Sequence, residues 1–519
     1  MIFRAPEPDV AIPEVALTPF LLEHAMARGE KPAFVDGPSG RTLTYRDWAE
    51  GVQRVATGLA ARGFRKGDVF AIYSPNVPEY AIAFHAVSLL GGINTTISPL
   101  YTVTELRDQL KDSGARYLVT VAACAEKAEQ AASESGVREV FVFGESERCT
   151  PFDSLLAAEC APPTVHIDPR EDLVVVPYSS GTTGLPKGVM LTHYNLVANI
   201  LQTAGALALR EDDIMLGVLP FFHIYGMTVI MNFALHVGAT VVAMPRFDLE
   251  LCLQILQKYR VTFASVVPPI VLAMAKSPLV DKYELPHLRC LFSGAAPLTE
   301  SVAEAARARL GCQVVQGYGL TETAPVTHAT RAAGDRISAA SIGPPVPNTE
   351  AKIVDVTTGR ALGSGEEGEI CVRGPQVMKG YLNRPDATSA MIDADGWLHT
   401  GDIGNADAHG CFFVIDRLKE LIKYKGLQIA PAELEAVLLG HPSIADAAVI
   451  PLADDDAGQV PKAFVVLRSE LAPAHILEYV AARVAPYKRL RSVEIIDQIP
   501  KSPSGKILRR ILVERQRSV

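Results

Sequence analysis

The 519-residue chain lacks several features that mark out whole protein classes. It has no Cys-x-x-Cys pair: its eight cysteines, at 124, 149, 160, 252, 290, 312, 371 and 411, lie scattered with no histidine cluster beside them in the sequence. That spacing excludes a zinc-finger or disulfide framework and suits core-filling thiols in a reducing compartment. There is no excess of basic residues either. With 49 Lys and Arg against 58 Asp and Glu the formal charge is −9 and the pI is near 5.8, the wrong sign for a chain that lives on phosphate backbones, so no nucleic-acid partner is expected. The first twenty residues, with Asp9, Glu14 and several prolines, lack the apolar segment of a secretory signal, and Arg517-Ser518-Val519 is not a peroxisomal address. A cytoplasmic protein is expected. There are no internal repeats and no low-complexity tracts. The stretch Ile214 to Pro245 carries no charge and is long enough to span a bilayer. However, Pro220, His223, Asn232, His236 and Gly238-Ala239-Thr240 divide it into strand, helix and strand, so no membrane span is expected.

At roughly 100–200 residues per domain the length implies two to four domains, and the 48% apolar content is ample for large cores. From Leu43 to about Val142, helical stretches (Arg46–Arg62, Glu79–Leu90, Val103–Ser113) alternate with short apolar runs (Val69–Tyr73, Tyr117–Val121, Glu139–Val142). A second series starts at Leu173 and continues through Met215–Leu219, Thr240–Ala243, Thr262–Val266, Arg289–Phe292 and Gln313–Gln316. Strands separated by helices predict mainly parallel sheets covered on both faces, which bind ligands at the carboxyl ends of their strands. The expected class is α/β: a large N-terminal domain, residues 1–416, of two doubly wound, mainly parallel α/β sheets plus a β-rich subdomain over about 345–416. Short strands with glycine-rich turns (Ala351–Val356, Gly368–Arg373, Gly396–His399) carry the subdomain prediction. A small α+β C-terminal domain, residues 417–519, follows, with helices near Pro431–Leu439, Ala474–Arg483 and Ile507–Arg515.

Between Tyr178 and Leu191 the chain reads Tyr-Ser-Ser-Gly-Thr-Thr-Gly-Leu-Pro-Lys-Gly-Val-Met-Leu. Ser179, Ser180, Thr182 and Thr183 offer hydroxyls, Gly181, Gly184 and Gly188 admit close approach of backbone N–H groups, and Lys187 adds a point charge. Together these suit a polyphosphate. Apolar runs on both sides place the loop between two strands, where a flexible surface linker rarely sits. It departs from the P-loop pattern, because Gly188 follows Lys187 where Ser or Thr is required and no helix begins at the lysine. A second cluster, Gln316-Gly-Tyr-Gly-Leu-Thr-Glu322, follows a predicted strand, and Glu322 suits a magnesium ion bridging to phosphates. A plain turn with a surface glutamate fits the same residues. In the third cluster, Thr400-Gly-Asp-Ile-Gly404 with Asp416-Arg-Leu-Lys-Glu420, Asp402 can accept from both hydroxyls of a ribose and Arg417 can donate to the same sugar. A capped turn and a surface salt bridge also fit there.

Taken together and in this order, the motifs resemble those of the acyl-adenylate-forming superfamily, over nearly the whole chain and most closely its 4-coumarate:CoA ligase group. The resemblance rests on Pro177 to His193, Phe222-His-Ile-Tyr225, Gly368-Glu-Ile-Cys-Val-Arg-Gly374, Glu420 to Glu435 and Pro500-Lys-Ser-Pro-Ser-Gly-Lys506. It implies a ligase that uses ATP and Mg²⁺ to convert a small carboxylic acid to an acyl-adenylate and then hands the acyl group to coenzyme A, expelling AMP. In the family, residues matching Ser179 through Thr183 and Lys187 hold the phosphates, those matching Gln316, Gly317 and Thr321 surround the adenine and α-phosphate, and those matching Asp402 and Arg417 hold the ribose. Lys506 matches the adenylation lysine, while Lys423 and Gln428 match positions that approach the adenylate from the small domain. Lys419 matches the hinge about which that mobile domain rotates between half-reactions. Arg246, Lys425 and Gly426 match the coenzyme A path.

By the same resemblance His223 gates the wall between acyl pocket and thiol tunnel, and Tyr225, Val229, Ala295, Gly317, Pro325 and Val326 line the acyl pocket. Small residues at 295 and 317 opposite an aromatic make a flat slot that favours a planar ring, so 4-coumarate or cinnamate is the expected acid. The alternatives are a medium-chain fatty acid or a benzoate-type acid, a stand-alone adenylation domain loading a carrier protein, and an inactive ATP sensor. A monomer or homodimer is expected.

Overall fold

Four sheets organise the chain in a computed structural model that describes residues 1–157, 161–179, 186–331, 338–425, 427–454, 457–502 and 505–517. Val69–Tyr73 reads Val-Phe-Ala-Ile-Tyr, apolar on both faces, and accordingly lies mid-sheet with parallel neighbours Ile93–Ile97 and Ala115–Val121. Glu139–Phe143 and Thr150–Pro151 extend this first sheet on one side. On the other side come Leu173–Val175, then Lys187–Thr192 and Tyr178–Ser179, which are antiparallel to each other. The hydroxyl- and glycine-rich segment therefore runs between two paired strands, as expected.

The second sheet is centred on Ile214–Gly217, with Thr240–Ala243 and Pro32–Asp36 on one side and Phe263–Val266, Cys290–Ser293 and Gln313–Gly319 on the other, all parallel. One continuous core, from Leu17 to Tyr381, joins both sheets. Among the described residues no helix is long and apolar enough to cross a membrane. Ile214 to Pro245 folds as strand, a π-helix over Tyr225–Asn232 running into the helix Phe233–Val237, and strand.

Leu173–Val175 belongs to the first sheet, whereas the sequence pattern grouped it with the second. The strand that receives it, Ile93–Ile97, reads Ile-Asn-Thr-Thr-Ile and is too polar to stand out as buried. Its side chains are satisfied internally: Asn94 donates to the carbonyls of Phe84 and Val174, and Thr95 to that of Val176. At the end of the loop, Thr192 closes a capping box with Asn195 and turns the strand into the helix His193–Ala206.

The third sheet is antiparallel, ordered Phe3–Arg4, Glu350–Val354, Gly368–Arg373, Leu398–Ala406 and Phe412–Arg417. After a turn at 418–420, Ile422–Tyr424 begins the fourth sheet, built with Leu427–Ile429, Gly458–Leu467, Ile444–Asp454 and Ser492–Ile495. The seam between the last two sheets is partly apolar, with Ile403 packed on Leu421 and Ala430. It is also partly polar, with Ala432 N–H donating to Asp416 Oδ2 at 2.8 Å.

Candidate active site

A cavity of about 700 Å³ lies where the carboxyl ends of Cys290–Ser293 and Gln313–Gly319 face the small domain. Its floor is bare backbone. A Cβ at Gly317 would sit 2.3 Å from Phe292 Cζ, and one at Gly319 would sit 1.9 Å from the Pro325 carbonyl oxygen, so only glycine fits at either position. The Gln316 side chain is used locally, accepting from Leu298 N–H at 2.9 Å and donating to the Leu298 and Ala339 carbonyls. What Gln316 and Gly317 present to the cavity is therefore a flat strand braced from behind.

Asp402, 4% exposed, sits in the cavity wall. Tyr318 donates its hydroxyl to Asp402 Oδ2 at 2.6 Å and Arg417 Nε lies 3.2 Å from Oδ1. Burial pushes the Asp402 carboxyl above its ordinary range against the pull of Arg417 and Tyr318. The strand that carries it is held at the preceding residue, Gly401, whose N–H donates to Glu369 and whose carbonyl accepts from Leu418 N–H. From the small domain Lys506 lines the same cavity. Its ammonium is brought down to about 8, first by burial and then by the Arg417 charge, while Glu420 and Asp402 oppose the shift. Three residues on, Arg509 makes a bidentate pair with Glu435 and a further ion pair with Glu420, anchoring the segment that carries Lys506.

Outside the lining of that cavity, Glu322 is 7% exposed, and its Oε1 accepts from Ser179 Oγ at 2.9 Å and Tyr381 OH at 2.7 Å. Lys187 Nζ lies 4.5 Å over the Tyr381 ring. Thr321 opens the short turn that carries Glu322. A buried carboxylate partnered by two hydroxyls, with no ion pair among the described residues, is an all-oxygen donor set that fits a hard cation such as Mg²⁺. Ser180, Gly181, Thr182, Thr183, Gly184 and Gly426 lie outside the described residues, as does the side chain of Gln428.

His223 is half-buried; burial first, and then the charge of Lys506, lower its imidazole to about 4. It is neutral near pH 7 and accepts at Nδ1 from Tyr225 N–H. Tyr225 sends its hydroxyl into the protein, donating to the Phe292 carbonyl at 2.9 Å. Of the expected acyl-pocket residues, Ala295 and Gly317 line the open cavity, while Tyr225, Val229, Pro325 and Val326 are buried and do not line it. Lys423, Lys425, Lys419 and Arg246 are all exposed and do not line the cavity. Lys423 pairs with Gln428 across the hairpin of Ile422–Tyr424 and Leu427–Ile429.

The motif reading passed over four residues of this site. Tyr318 and Tyr381 carry no chemical signature of their own and gain a role only by reaching carboxylates far away in sequence. Asn76 donates to the carbonyls of Gly217 and Leu219 and accepts from Phe221 N–H, shaping the segment before His223. Thr96 donates to the Phe222 carbonyl at 2.7 Å. Thr96 stands in Ile-Asn-Thr-Thr-Ile, too polar a run to be read as a buried strand, so the sequence carried no signal for it.

The profile of the family described as AMP-binding enzyme matches residues 21–382, and that of its C-terminal domain matches residues 433–506. The chain is 46% identical over 523 residues to 4-coumarate--CoA ligase 5 of Oryza sativa subsp. japonica, covering 98% of this chain and 96% of the rice protein. It is 44% identical to 4-coumarate--CoA ligase 2 of Petroselinum crispum, covering 99% and 96% respectively. Among solved structures it is similar to the anthranilate CoA ligase AuaEII in complex with anthranoyl-AMP, at TM-score 0.88 and 26% identity over 98% of this chain and 99% of the other.

Proposed function

We propose that this chain, which belongs to the family of AMP-binding enzymes, is an ATP-dependent acid:CoA ligase that activates 4-coumarate or cinnamate as the adenylate and transfers the acyl group to coenzyme A. The observation that carries this reading is the meeting of Lys506 with the Asp402–Arg417 pair in one cavity, in a chain similar over nearly its full length to 4-coumarate ligases. When a carboxylate attacks the α-phosphate of ATP, negative charge concentrates on the oxygens between them, and a buried ammonium aimed there favours the transition state. Asp402 takes the ribose hydroxyls in place of the Tyr318 donor, and Arg417 pulls against the burial that favours the neutral carboxyl. The braced backbone at Gln316 and Gly317 gives the adenine and acyl group a flat surface.

Glu322 would hold Mg²⁺, with Ser179 beside it, and the ion would neutralise the β- and γ-phosphate charge. The loop through Ser180, Gly181, Thr182, Thr183 and Gly184 to Lys187 would hold the same phosphates. The exposed position of Lys423 supports a second pose for thioester formation, reached by rotation at Lys419, in which Lys423 and Gln428 approach the adenylate and Arg246, Lys425 and Gly426 line the coenzyme A path. The seven described cysteines are all thiols, six of them buried, which supports the cytoplasm as the working compartment.

Coenzyme A-dependent AMP release, assayed across cinnamates, benzoates and fatty acids, tests the substrate. A cinnamate at the top of the kcat/KM ranking is expected. A fatty acid or benzoate at the top would replace the substrate assignment, and acyl-adenylate formation without thioester would replace the ligase assignment.

A further inference from the structure

In the third sheet, outside the lining of the cavity, three side chains with good metal-ligand chemistry converge. Glu369 and Cys371 stand two residues apart on Gly368–Arg373 and so share a face, and the antiparallel register puts His399 directly opposite Cys371. His399 Nδ1 lies 3.5 Å from Cys371 Sγ and 2.8 Å from Glu369 Oε2, and the three donor atoms all fall within 4.8 Å of one another. On the other side of the ring, Asp393 Oδ2 is 3.5 Å from His399 Nε2.

We propose that Glu369, Cys371 and His399 form a binding site for a zinc-class divalent ion, with Asp393 as the outer partner of the histidine. The donor set selects the metal. A thiolate, an imidazole and a carboxylate suit Zn²⁺ and its neighbours, whereas Mg²⁺ and Ca²⁺ take oxygens alone. The spacing agrees. Zn–S of about 2.3 Å and Zn–N of about 2.0 Å at tetrahedral angles set sulfur and nitrogen about 3.5 Å apart, which is the distance found. The Glu369 oxygen must open from its present hydrogen-bond distance by about half an ångström to reach a tetrahedral vertex.

Binding balances simply. The thiol proton leaves to water as the Zn–S bond forms, and the imidazole proton shared with Glu369 is relocated to Nε2, where Asp393 accepts it in the usual carboxylate–histidine–metal arrangement. A cation does stand nearby: Lys352 is opposite Cys371 on the next strand, but its ammonium lies 4.2 Å over the Trp397 ring. Access is through His399, whose side chain is 32% exposed, while Cys371 is buried. The other Glu369 oxygen holds Gly401 N–H, so an ion here pins the strand pair directly behind Asp402.

The test uses the full chain, stripped with a chelator and titrated with Co²⁺ and then with Zn²⁺. The expected result is one equivalent bound, a sulfur-to-cobalt charge-transfer band in the near ultraviolet, displacement by zinc with a dissociation constant of about 1 µM or tighter, and a zinc-dependent rise in Tm. Cys371→Ala should abolish the band, and His399→Gln should weaken binding at least about 100-fold while leaving the metal-free Tm and circular dichroism near those of the wild type. No thiolate band, or a band that survives in Cys371→Ala, would overturn the site. Should Cys371→Ala not fold, zinc-edge X-ray absorption of the wild type decides. One sulfur at about 2.3 Å supports the site, and a shell of nitrogen and oxygen alone overturns it.

Discussion

The Tyr318 hydroxyl donates to Asp402 Oδ2 at 2.6 Å, on the carboxylate proposed to hold the ribose. Removing that donor leaves a buried carboxylate oxygen short of one hydrogen bond, at a cost of about 1–3 kcal/mol. A ribose hydroxyl can replace it. Tyr318→Phe is therefore expected to lower the Tm of the nucleotide-free protein and to enlarge the rise in Tm on adding ATP, both read by differential scanning fluorimetry. An ATP-induced rise smaller than in the wild type would separate Tyr318 from the ribose contact.

Lys506 gives a pH signature of definite sign. Burial and Arg417 hold its ammonium at about 8, and in the proposed mechanism the ammonium is the form that stabilises adenylate formation. Below that pH the group is charged and active; above it the charge is lost. The kcat/KM for pyrophosphate release, which reports the free enzyme, should fall above pH 8. The kcat limb should lie at higher pH, because bound ATP adds negative charge beside the lysine. Lys506→Arg should remove the limb, since guanidinium stays charged. Lys506→Ala should slow adenylate formation by about 10²–10³-fold, the range typical of losing one preorganised charge-stabilising group. A limb that persists in Lys506→Arg would belong to another group.

The sequence carried the parts of this site whose chemistry is local. The phosphate loop, Glu322, Asp402, Arg417 and Lys506 each stand in a short segment whose residue types already suggest a ligand. The residues that hold them are a different matter. Tyr318 reaches Asp402 across 84 positions and Tyr381 reaches Glu322 across 59, and nothing local distinguishes either tyrosine from a core aromatic. The same limit applied to the fold. Apolar runs such as Val69–Tyr73 announced themselves, but Ile93–Ile97 did not, because its asparagine and threonines look exposed until their partners in neighbouring strands are known. Cys371 and His399 show it again. They lie 28 positions apart with no common motif, and only strand register makes them neighbours.

Tyr225 tests the proposed substrate. Its hydroxyl is spent on the Phe292 carbonyl, its ring packs against Gly294 and it does not line the open cavity, so it offers an acid bound there no hydrogen bond. Tyr225→Phe should therefore change the ratio of kcat/KM for 4-coumarate over cinnamate by less than about threefold, while costing about 1 kcal/mol of stability for the lost buried hydrogen bond. A tenfold fall in the ratio would mean that the hydroxyl turns to meet the 4-hydroxyl of the substrate. Parallel steady-state assays of the two acids decide it.

The turn at Lys419 offers a test of the proposed rotation between the two half-reactions. Leu418 N–H donates to the Gly401 carbonyl, and Glu420 and Leu421 N–H both donate to the Arg417 carbonyl, whereas the Lys419 N–H takes no part in these bonds. Proline at 419 therefore removes none of these turn bonds, in the pose that brings Lys506 into the cavity. What proline removes is the freedom of φ at 419 that a rotation of the small domain needs. In Lys419→Pro, acid-dependent pyrophosphate release should stay within about threefold of wild type, while transfer from preformed acyl-adenylate to coenzyme A should fall by about 100-fold or more. Single-turnover measurement of each step distinguishes the outcomes. An equal loss in both would place the pivot elsewhere, and no loss in either would show that the second step proceeds without rotation at this residue.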